Sequence, residues 1–345
     1  MFLVGARVML VGVSVCDIVL VTPKLSEPGG IVYLERGVTI SLGGHPCNIG
    51  VNLAKLGYNP REVFVVSAIG DDFCGLFLEQ ELSKYNLQLR FTKLRGVGST
   101  KNVIVVVGNE DRRFHVEMGA SALLPPSHVL SVLEEVKPHL LHLAAGVISR
   151  VDEDLTTVLS RARSLGVVTF VDVGAAKPHG RDSWDFLLSA LNYVDIFHCN
   201  THELRSFLGT VEVLEGVKEI LSRGVKVVLV TEGERGAYVA KDNYALHQEA
   251  FKVTPVDPTG AGDAFQAGFI YKLAELHGEK LNSKVLEDLD ANTLAQLLLY
   301  AQAAGAACVT APGTTTAVTR ENVERLIQEQ GNRVLKSTRM IKISL

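Results

Sequence analysis

Residues 256–269, VDPTGAGDAFQAGF, place three small residues directly before a carboxylate. The small residues are Gly260, Ala261 and Gly262, and the carboxylate is Asp263. A glycine inside a helix costs roughly 1 kcal/mol relative to alanine, so helix formation alone does not explain two of them. Free backbone amides at a helix start attract anions, and a residue without a Cβ lets an anion approach closely. The segment therefore predicts a phosphate-binding turn.

Asp263 falls in the first turn of the helix that the pattern predicts from about Ala264 to His277, with Thr259 as its cap. The helix dipole keeps a carboxylate ionised at this position. An ionised carboxylate repels a bound phosphate, so it is more useful as a base that removes the proton from an attacking hydroxyl. The alternative is a glycine-rich turn with a capping aspartate and no catalytic role.

Other nucleotide and metal motifs fit less well. A dinucleotide-binding G-x-G-x-x-G would need a third glycine where Phe265 stands, and this absence disfavours a nucleotide-dependent dehydrogenase. No G-x-x-x-x-G-K-[ST] occurs, which excludes a P-loop. His198 and His202 are four residues apart, but H-E-x-x-H is absent and Asn200 between them indicates a strand end, which disfavours zinc.

Composition indicates a globular enzyme with no general affinity for polyanions. The 345 residues are 47% hydrophobic and 21% charged, with a formal net charge of -4. We expect no nucleic-acid or membrane partner, and any phosphate-bearing ligand needs a local site. The apolar residues 1–21 are interrupted by Arg7 and Asp17, which favours a buried first strand over a signal peptide. Five isolated cysteines without a C-x-x-C pair predict buried thiols in a reducing cytoplasm.

The elements that must position these residues alternate between short apolar runs and amphipathic helices. Helical patterns at residues 152–166 and 210–224 each end on a glycine before the next strand. This alternation predicts an α/β fold of three layers, α/β/α, with a mainly parallel sheet. The predicted strands occupy residues 6–13, 62–70, 139–146, 167–174, 194–200 and 226–233.

Two segments, near residues 17–40 and 88–118, interrupt the alternation and predict a small separate β-sheet. The second contains a hairpin over residues 101–119 that turns at Gly108–Asp111. Residues 103–107 are apolar on both faces, so we expect one face to cover the substrate and the other to pack against a second subunit. The alternative is a hairpin that faces solvent. Residues 329–345 form a basic, β-prone tail.

Four motifs, in order, resemble those of the ribokinase-like (PfkB) carbohydrate kinases. DPTGAGDAF at residues 257–265 resembles the C-terminal signature, and SLGGHPCNIGVNLAKLG at 41–57 the N-terminal signature. NTHE at 200–203 resembles the N-x-x-E motif, and TEGERGAYV at 231–239 the nucleotide-side strand and turn. The resemblance extends over roughly residues 7–328. It implies a kinase domain over residues 1–328, with the small sheet as its lid, followed by the tail at 329–345.

The resemblance also implies roles for individual residues. Asp263 matches the catalytic base, and Gly260, Ala261 and Gly262 match the anion hole for the transferring phosphate. The positions that hold substrate hydroxyls are Asp17, Gly43, Gly44 and Asn48. From the residues alone, Asp17 could instead end a strand, and the two glycines could form a plain turn.

The same resemblance implies where ATP and its cations bind. Asn200 and Glu203 match the motif that organises Mg²⁺ through water, although Glu203 could equally be a charge at a helix start. Asp257 and the loop 310–316 match a monovalent-cation site, which Pro258 leaves open because proline removes an N–H donor. The nucleotide positions are Thr231, Gly233, Gly236, Thr259 and the helix Ala304–Cys308.

The reaction implied is ATP-dependent phosphorylation of a hydroxyl on a small polyol. GGHPCN and DVGAAKPHG, at 172–180, resemble an archaeal-type branch that contains inositol and nucleoside kinases. Few aromatic residues are available to stack on a base, which favours a cyclitol, myo-inositol, over a nucleoside or simple sugar. A non-catalytic sugar-sensing relative would lack the base that Asp263 supplies. Lid-to-lid dimers are common in this family, so the resemblance implies a homodimer.

Overall fold

The computed structural model describes residues 5–34, 37–108, 110, 112–175, 177–209 and 212–344. Within this part of the chain there are two sheets and eleven α-helices. The strands are β1 (Val8–Val11), β2 (Val15–Thr22), β3 (Val38–Gly43), β4 (Val63–Gly70), β5 (Gln88–Leu94), β6 (Lys101–Val107), β7 (Arg113–Glu117), β8 (Leu140–Ala145), β9 (Val168–Val173), β10 (Ile196–Asn200), β11 (Val227–Thr231), β12 (Ala237–Lys241), β13 (Tyr244–Gln248) and β14 (Arg339–Lys342).

The helices lie between these strands along the chain and cover both faces of the larger sheet. They are α1 (His45–Leu56), α2 (Phe73–Ser83), α3 (Pro126–Val136), α4 (Ser149–Glu153), α5 (Leu155–Ser164), α6 (Asp185–Ala190), α7 (Thr201–Leu208), α8 (Val213–Ser222), α9 (Ala261–His277), α10 (Ala291–Cys308) and α11 (Arg320–Lys336).

The larger sheet has ten strands in the order β14-β13-β12-β11-β10-β9-β8-β1-β4-β5. From β11 to β5 all neighbours are parallel, and the three strands at the other end pair antiparallel. All six predicted strands are present, and their near-continuous apolar character matches burial on both faces. The predicted fold class, a three-layer α/β/α fold with a mainly parallel sheet and a small second sheet, is confirmed.

Two apolar cores hold the three layers together. Along β1, Val8 and Leu10 face the core that contains α1, α9, α10 and α11. Met9 and Val11 face the opposite core, which contains α3, α5 and α8. This alternation is the two-residue period of a strand, and it places helices on both faces of the sheet.

The smaller sheet has four strands in the order β3-β2-β6-β7, and we refer to it as the lid. The predicted hairpin is present as β6 and β7, although Asn109 and Asp111 of its turn lie outside the described residues. The second predicted lid segment is too long, because residues 88–94 pair with β4 as the last strand of the large sheet.

The register of the lid strands assigns the parity of its two faces. Asp17 lies beside Asn102, and Val19 lies beside Ile104, so these residues share one face. The opposite face carries Ile18, Leu20, Val38, Ile40, Val103 and Val105. Val38, Ile40 and Val103 are exposed there, and Phe114 and Val116 are exposed on the face of Asp17. Neither face of the lid is fully covered within one chain.

The C-terminal residues extend both the helical layer and the sheet. Helix α11 runs through residue 329, where the tail is predicted to begin. Strand β14 then pairs antiparallel with β13. The β-prone composition of the tail is explained by this edge strand of four residues.

Candidate active site

Two helices, α1 and α9, begin in the same way beside the carboxyl ends of the parallel strands. Each has a glycine N-cap with a positive φ, Gly44 at φ 93° and Gly260 at φ 79°, and neither has a side-chain cap. Their first-turn amides therefore have no capping side chain as a partner, and the positive dipole ends attract anionic or hydroxyl oxygens. The predicted cap, Thr259, is wrong: the helix is capped one residue later, and the Thr259 hydroxyl donates to Asp257 at 2.6 Å.

Asp263 lies in the first turn of α9 and is only 9% exposed. Its Oδ2 accepts a 2.7 Å hydrogen bond from the side-chain amide of Asn48 in α1. The Asn48 Oδ1 in turn accepts from the Thr314 hydroxyl at 2.8 Å. Burial raises the pKa of Asp263 above its ordinary value, although His45 and the hydrogen bond from Asn48 act in the opposite direction. A carboxylate with a raised pKa is a stronger base than an exposed one.

The three small residues before Asp263 differ in how much space surrounds them. A Cβ on Gly260 would lie 2.7 Å from the Cβ of Thr314, so glycine is required there by packing as well as by its positive φ. A Cβ on Gly262 would meet nothing nearer than the Cε1 of His198, at 3.9 Å. Gly262 therefore borders open space, and its backbone is accessible to an anion.

Asp17 lies on β2 of the lid and is 7% exposed. Its Oδ1 accepts a 3.0 Å hydrogen bond from Asn102 on β6. A Cβ on Gly43 would lie 2.0 Å from the other carboxylate oxygen, so only glycine fits beside this group. Burial is the largest cause that raises the pKa of Cys47, and the negative charges of Asp263 and Asp17 raise it further. The two carboxylates therefore flank the same first turn of α1, which carries Cys47 and Asn48.

Asn200 and Glu203 form a capping box at the start of α7. The Asn200 Oδ1 accepts from the backbone N–H of Glu203 at 2.9 Å, and the Glu203 Oε2 accepts from the backbone N–H of Asn200 at 2.8 Å. Burial raises the pKa of Glu203 to about 7, and the negative charge of Asp172 adds to the rise. The motif thus has a structural role, because its two hydrogen bonds cap α7 with or without a bound metal.

The predicted nucleotide-binding residues lie at the end of β11, the strand beside β10, and in the turn that follows β11. Thr231 ends β11 directly beside Asn200, which ends β10. Gly233 and Gly236 both have positive φ, and a Cβ on Gly236 would lie 1.9 Å from the carbonyl oxygen of Gln248. This turn therefore requires glycine for its conformation. The structure brings Thr231 next to the Asn200 motif, at the carboxyl edge of the sheet where ligands of α/β folds bind.

The segment 304–308 of α10 packs against the start of α9. A Cβ on Gly305 would lie 3.2 Å from the carbonyl oxygen of Ala261. The Cys308 thiol lies 3.4 Å from the carbonyl oxygen of Thr259 and donates to it. This part of α10 therefore packs behind the turn that precedes Asp263.

Three ionisable residues lie next to this turn, of which Asp172 and His198 are buried and His45 is partly exposed. The His198 Nδ1 is 2.6 Å from the Asp172 Oδ1, and the His45 Nε2 is 4.0 Å from the Asp172 Oδ2. His198 also stacks on Phe265, three residues after Gly262. His202, by contrast, is exposed, so the two histidines four residues apart do not meet at a metal site.

Comparison with known proteins identifies the family. A family model described as pfkB family carbohydrate kinase matches residues 6–321. The chain belongs to the PfkB family of carbohydrate kinases. It is 28% identical over 283 residues to a fructokinase from Klebsiella pneumoniae, covering 80% of this chain and 88% of the relative. It is 23% identical over 283 residues to a ribokinase from Staphylococcus aureus, covering 77% and 86%.

A solved structure with the same fold is the fructokinase with bound ATP from Xylella fastidiosa. Its TM-score is 0.80 at 21% identity, and the match covers 94% of this chain and 99% of that one. None of the helices that the structure describes in this PfkB kinase combines the length and the apolar character needed to span a bilayer. All five cysteines are buried free thiols.

Several residues at this site of the PfkB kinase are not predicted by the four sequence motifs. Asp172, His198 and His45 stood inside quoted segments, yet their chemistry was not assigned to the site. Arg112 reaches the segment before Gly260 from the lid turn, and its Nη1 donates to Asp257 at 2.6 Å. No local pattern indicates these contacts. The one available signal was that Asp172 and His198 lie near the carboxyl ends of adjacent strands.

Proposed function

We propose that this PfkB kinase is an ATP-dependent phosphotransferase that phosphorylates a hydroxyl of a small polyol. The observation that supports this most is Asp263, a buried carboxylate with a raised pKa in the first turn of α9. It is held by Asn48, beside a turn whose Gly262 backbone is accessible. A base next to an anion-binding turn suits transfer of a phosphoryl group to a hydroxyl.

The reaction proposed uses the two carboxylates in different roles. Asp17 accepts hydrogen bonds from non-reacting substrate hydroxyls, and Gly43 and Gly44 let the ring approach the backbone. The reacting hydroxyl gives its proton to Asp263 while its oxygen bonds to the γ-phosphorus. The bond from that phosphorus to the bridging oxygen of ATP breaks, and ADP leaves. The amides of Gly260, Ala261 and Gly262 donate to the phosphoryl oxygens, whose charge is greatest during transfer.

Asn200 and Glu203 would hold Mg²⁺ through water molecules rather than by direct coordination. No group of three or more His, Cys, Asp and Glu side chains in the described part of the chain is close enough to hold a metal directly. Burial raises the pKa of both Glu203 and Asp263, and the charge of Asp172 adds to the rise, whereas His198 and His45 act against it. A cation bound nearby would lower both pKa values. When bound, Mg²⁺ neutralises the phosphates of ATP. Asn200 and Glu203 would orient its waters.

The nucleotide would lie across the ends of β10 and β11. Thr231, Gly233 and Gly236 line the turn after β11, and Thr259 and the segment 304–308 adjoin the phosphate end. The backbone of this turn offers close approach because Gly233 has no atom within 4 Å of an added Cβ.

For the acceptor, we propose myo-inositol as the best candidate. A cyclitol presents only hydroxyls, and the polar groups near the base are hydroxyl acceptors and donors: Asp17, Asn48 and Asn102. The Oδ1 of Asn102 is buried without a partner, which leaves it available for a substrate hydroxyl.

The alternative acceptor is a nucleoside or a simple sugar. Phe114 favours it, because this aromatic ring lies on the Asp17 face of the lid and is 52% exposed. An exposed ring on that face could stack on a base or a sugar. The relatives described as a fructokinase and a ribokinase support the simple-sugar form of this alternative.

We also propose that two chains form a dimer through their lids. The face opposite Asp17 carries Val38 at 61% and Ile40 at 42% exposure, beside Val103 at 37%. Contiguous exposed β-branched residues on a sheet face favour burial by a partner.

The experiment that tests the acceptor measures ADP release from ATP with myo-inositol, fructose, ribose and a set of nucleosides. The proposal predicts the highest kcat/KM for myo-inositol and a kcat lower by about 10²–10⁴ for Asp263→Asn. A nucleoside or sugar with a higher kcat/KM would replace myo-inositol and leave the kinase assignment standing. ADP release with none of the compounds would contradict the proposed function.

A further inference from the structure

Arg112 connects the lid to the anion-hole turn. It lies in the turn between β6 and β7, and its Nη1 donates to the Asp257 Oδ1 at 2.6 Å and also to the Thr259 hydroxyl. Asp257 lies four positions, and Thr259 two positions, before Ala261, the first residue of α9. The ion pair is mostly buried, with side-chain exposures of 24% for Arg112 and 23% for Asp257. It therefore differs from a surface pair, which solvent screens.

The donors around Asp257 leave its Oδ1 no free position for a metal ion. Its Oδ1 accepts from Arg112, from the Thr259 backbone at 3.0 Å and from the Thr259 hydroxyl at 2.6 Å. Its Oδ2 accepts from the backbone N–H of Gly313 at 3.1 Å. An ionised carboxylate oxygen has about two lone-pair positions, and the Oδ1 already has three donors. A monovalent cation bound directly to this oxygen would have to displace the guanidinium.

We propose that Arg112 supplies, from the lid, the positive charge that the family resemblance assigns to a monovalent cation at Asp257. The guanidinium compensates the Asp257 charge and holds the 257–259 segment, which leads directly into Gly260. Arg112 is thus a positioning residue: it acts on the anion hole through Asp257 and Thr259. The charge comes from the lid turn rather than from the segment that carries Asp257. The inference rests on the proposed kinase function for its effect on rate.

The inference has two consequences. The wild-type enzyme needs no K⁺, because a covalently attached cation already fills the position beside Asp257. Removing the guanidinium leaves a mostly buried carboxylate without its cationic partner, which is unfavourable until another cation binds. A small monovalent cation, or free guanidinium, should then restore what Arg112 supplied.

The test compares wild type, Arg112→Ala and Arg112→Lys in KCl, in guanidinium chloride at non-denaturing millimolar concentration, and in tetramethylammonium chloride at equal ionic strength. We expect wild-type kcat to be the same within twofold in KCl and tetramethylammonium. Arg112→Ala should lose about 10- to 100-fold in kcat in tetramethylammonium and regain at least tenfold with K⁺ or guanidinium. Arg112→Lys should retain most of the activity. Arg113→Ala is the matched control, because its neighbouring guanidinium pairs with Glu110 at the surface.

A second readout does not depend on activity. The Tm of Arg112→Ala should rise when K⁺ replaces tetramethylammonium, and the Tm of wild type and Arg113→Ala should not. The inference is overturned by a wild type that depends on K⁺, by wild-type kinetics in Arg112→Ala, or by a loss of activity that neither cation restores. If no polyol is phosphorylated at all, the proposed function fails, and the Tm measurement alone still decides whether Arg112 takes the place of a cation.

Discussion

The side-chain amide of Asn48 donates a 2.7 Å hydrogen bond to the carboxylate of Asp263, across 215 positions of sequence. It joins the first turns of α1 and α9, the two helices whose glycine N-caps leave their amides without capping side chains. The Thr314 hydroxyl holds the other end of the same amide. The orientation of the proposed base is therefore set jointly by the segment 41–57, by the segment 257–265 and by the loop after α10.

Substitutions of the two glycines in the anion-hole turn should separate catalysis from folding. Gly262→Ala should fold normally, because the added Cβ meets nothing nearer than 3.9 Å, and an alanine favours the helix. We nevertheless expect kcat to fall at least tenfold, because the methyl group enters the space of the phosphoryl oxygens. The larger Gly262→Val should abolish activity. Steady-state kinetics and urea denaturation measure both effects.

Gly260→Ala is the contrasting variant. Its Cβ would contact Thr314 at 2.7 Å, and the positive φ disfavours any residue with a Cβ, so we expect a loss of about 1–3 kcal/mol in the free energy of unfolding. Wild-type turnover in a folded Gly262→Val would remove the anion-hole interpretation. Equal destabilisation by Gly260→Ala and Gly262→Ala would contradict the difference in space around the two residues.

Charges on opposite faces of β6 should have separable effects. Ile104 shares the face of Asp17 and is 6% exposed, whereas Val105 lies on the other face beside Leu20. Ile104→Asp should mainly raise KM for the acceptor, and Val105→Asp should mainly break the proposed dimer. Light scattering at micromolar concentration and acceptor titrations measure the two outcomes.

Ile104→Ala controls for the burial of a charge, since it removes the contact without adding a carboxylate. A wild type that is a monomer at micromolar concentration would rule out the lid dimer. Identical, mild effects of the two aspartate variants would rule out the lid as the cover of the substrate.

Protonation of Asp17 at low pH should decrease the activity of the enzyme but increase its stability. Burial raises its pKa to about 6, although the hydrogen bond from Asn102 lowers it. The ionised form binds substrate hydroxyls, so kcat/KM should fall as the pH decreases through about 6. For stability, a folded-state pKa above the unfolded value of 3.8 means that ionisation is unfavourable in the folded protein.

As the pH rises from about 4 to 7, the free energy of unfolding of wild type should therefore fall by roughly 3 kcal/mol relative to that of Asp17→Asn. Urea denaturation of both proteins at several pH values measures this difference, in which the other raised carboxyls cancel. A constant difference across that range would show that the Asp17 pKa is ordinary.

A residue of this site can be predicted from the sequence only where a local residue pattern indicates its role. Gly260, Gly262 and Asp263 were found because a helix start with bare backbone has its own residue pattern. Arg112 and His198 were not, because their partners, Asp257 and Asp172, are reached only after the lid and the sheet have assembled. The length of the lid was misjudged for a similar reason: residues 88–94 are β-prone, and only pairing with β4 assigns them to the large sheet.

The central claim, that Asp263 is the base for phosphoryl transfer, is tested most directly by the kcat of Asp263→Asn with saturating ATP and acceptor. Asparagine keeps the shape of the side chain and cannot accept the proton, so kcat should fall by about 10²–10⁴ while ATP binding remains close to wild type and Tm does not fall. Glu275→Gln, in the same helix on a partly exposed face, is the matched control and should be unchanged. A folded Asp263→Asn that binds ATP and turns over at the wild-type rate would contradict the claim.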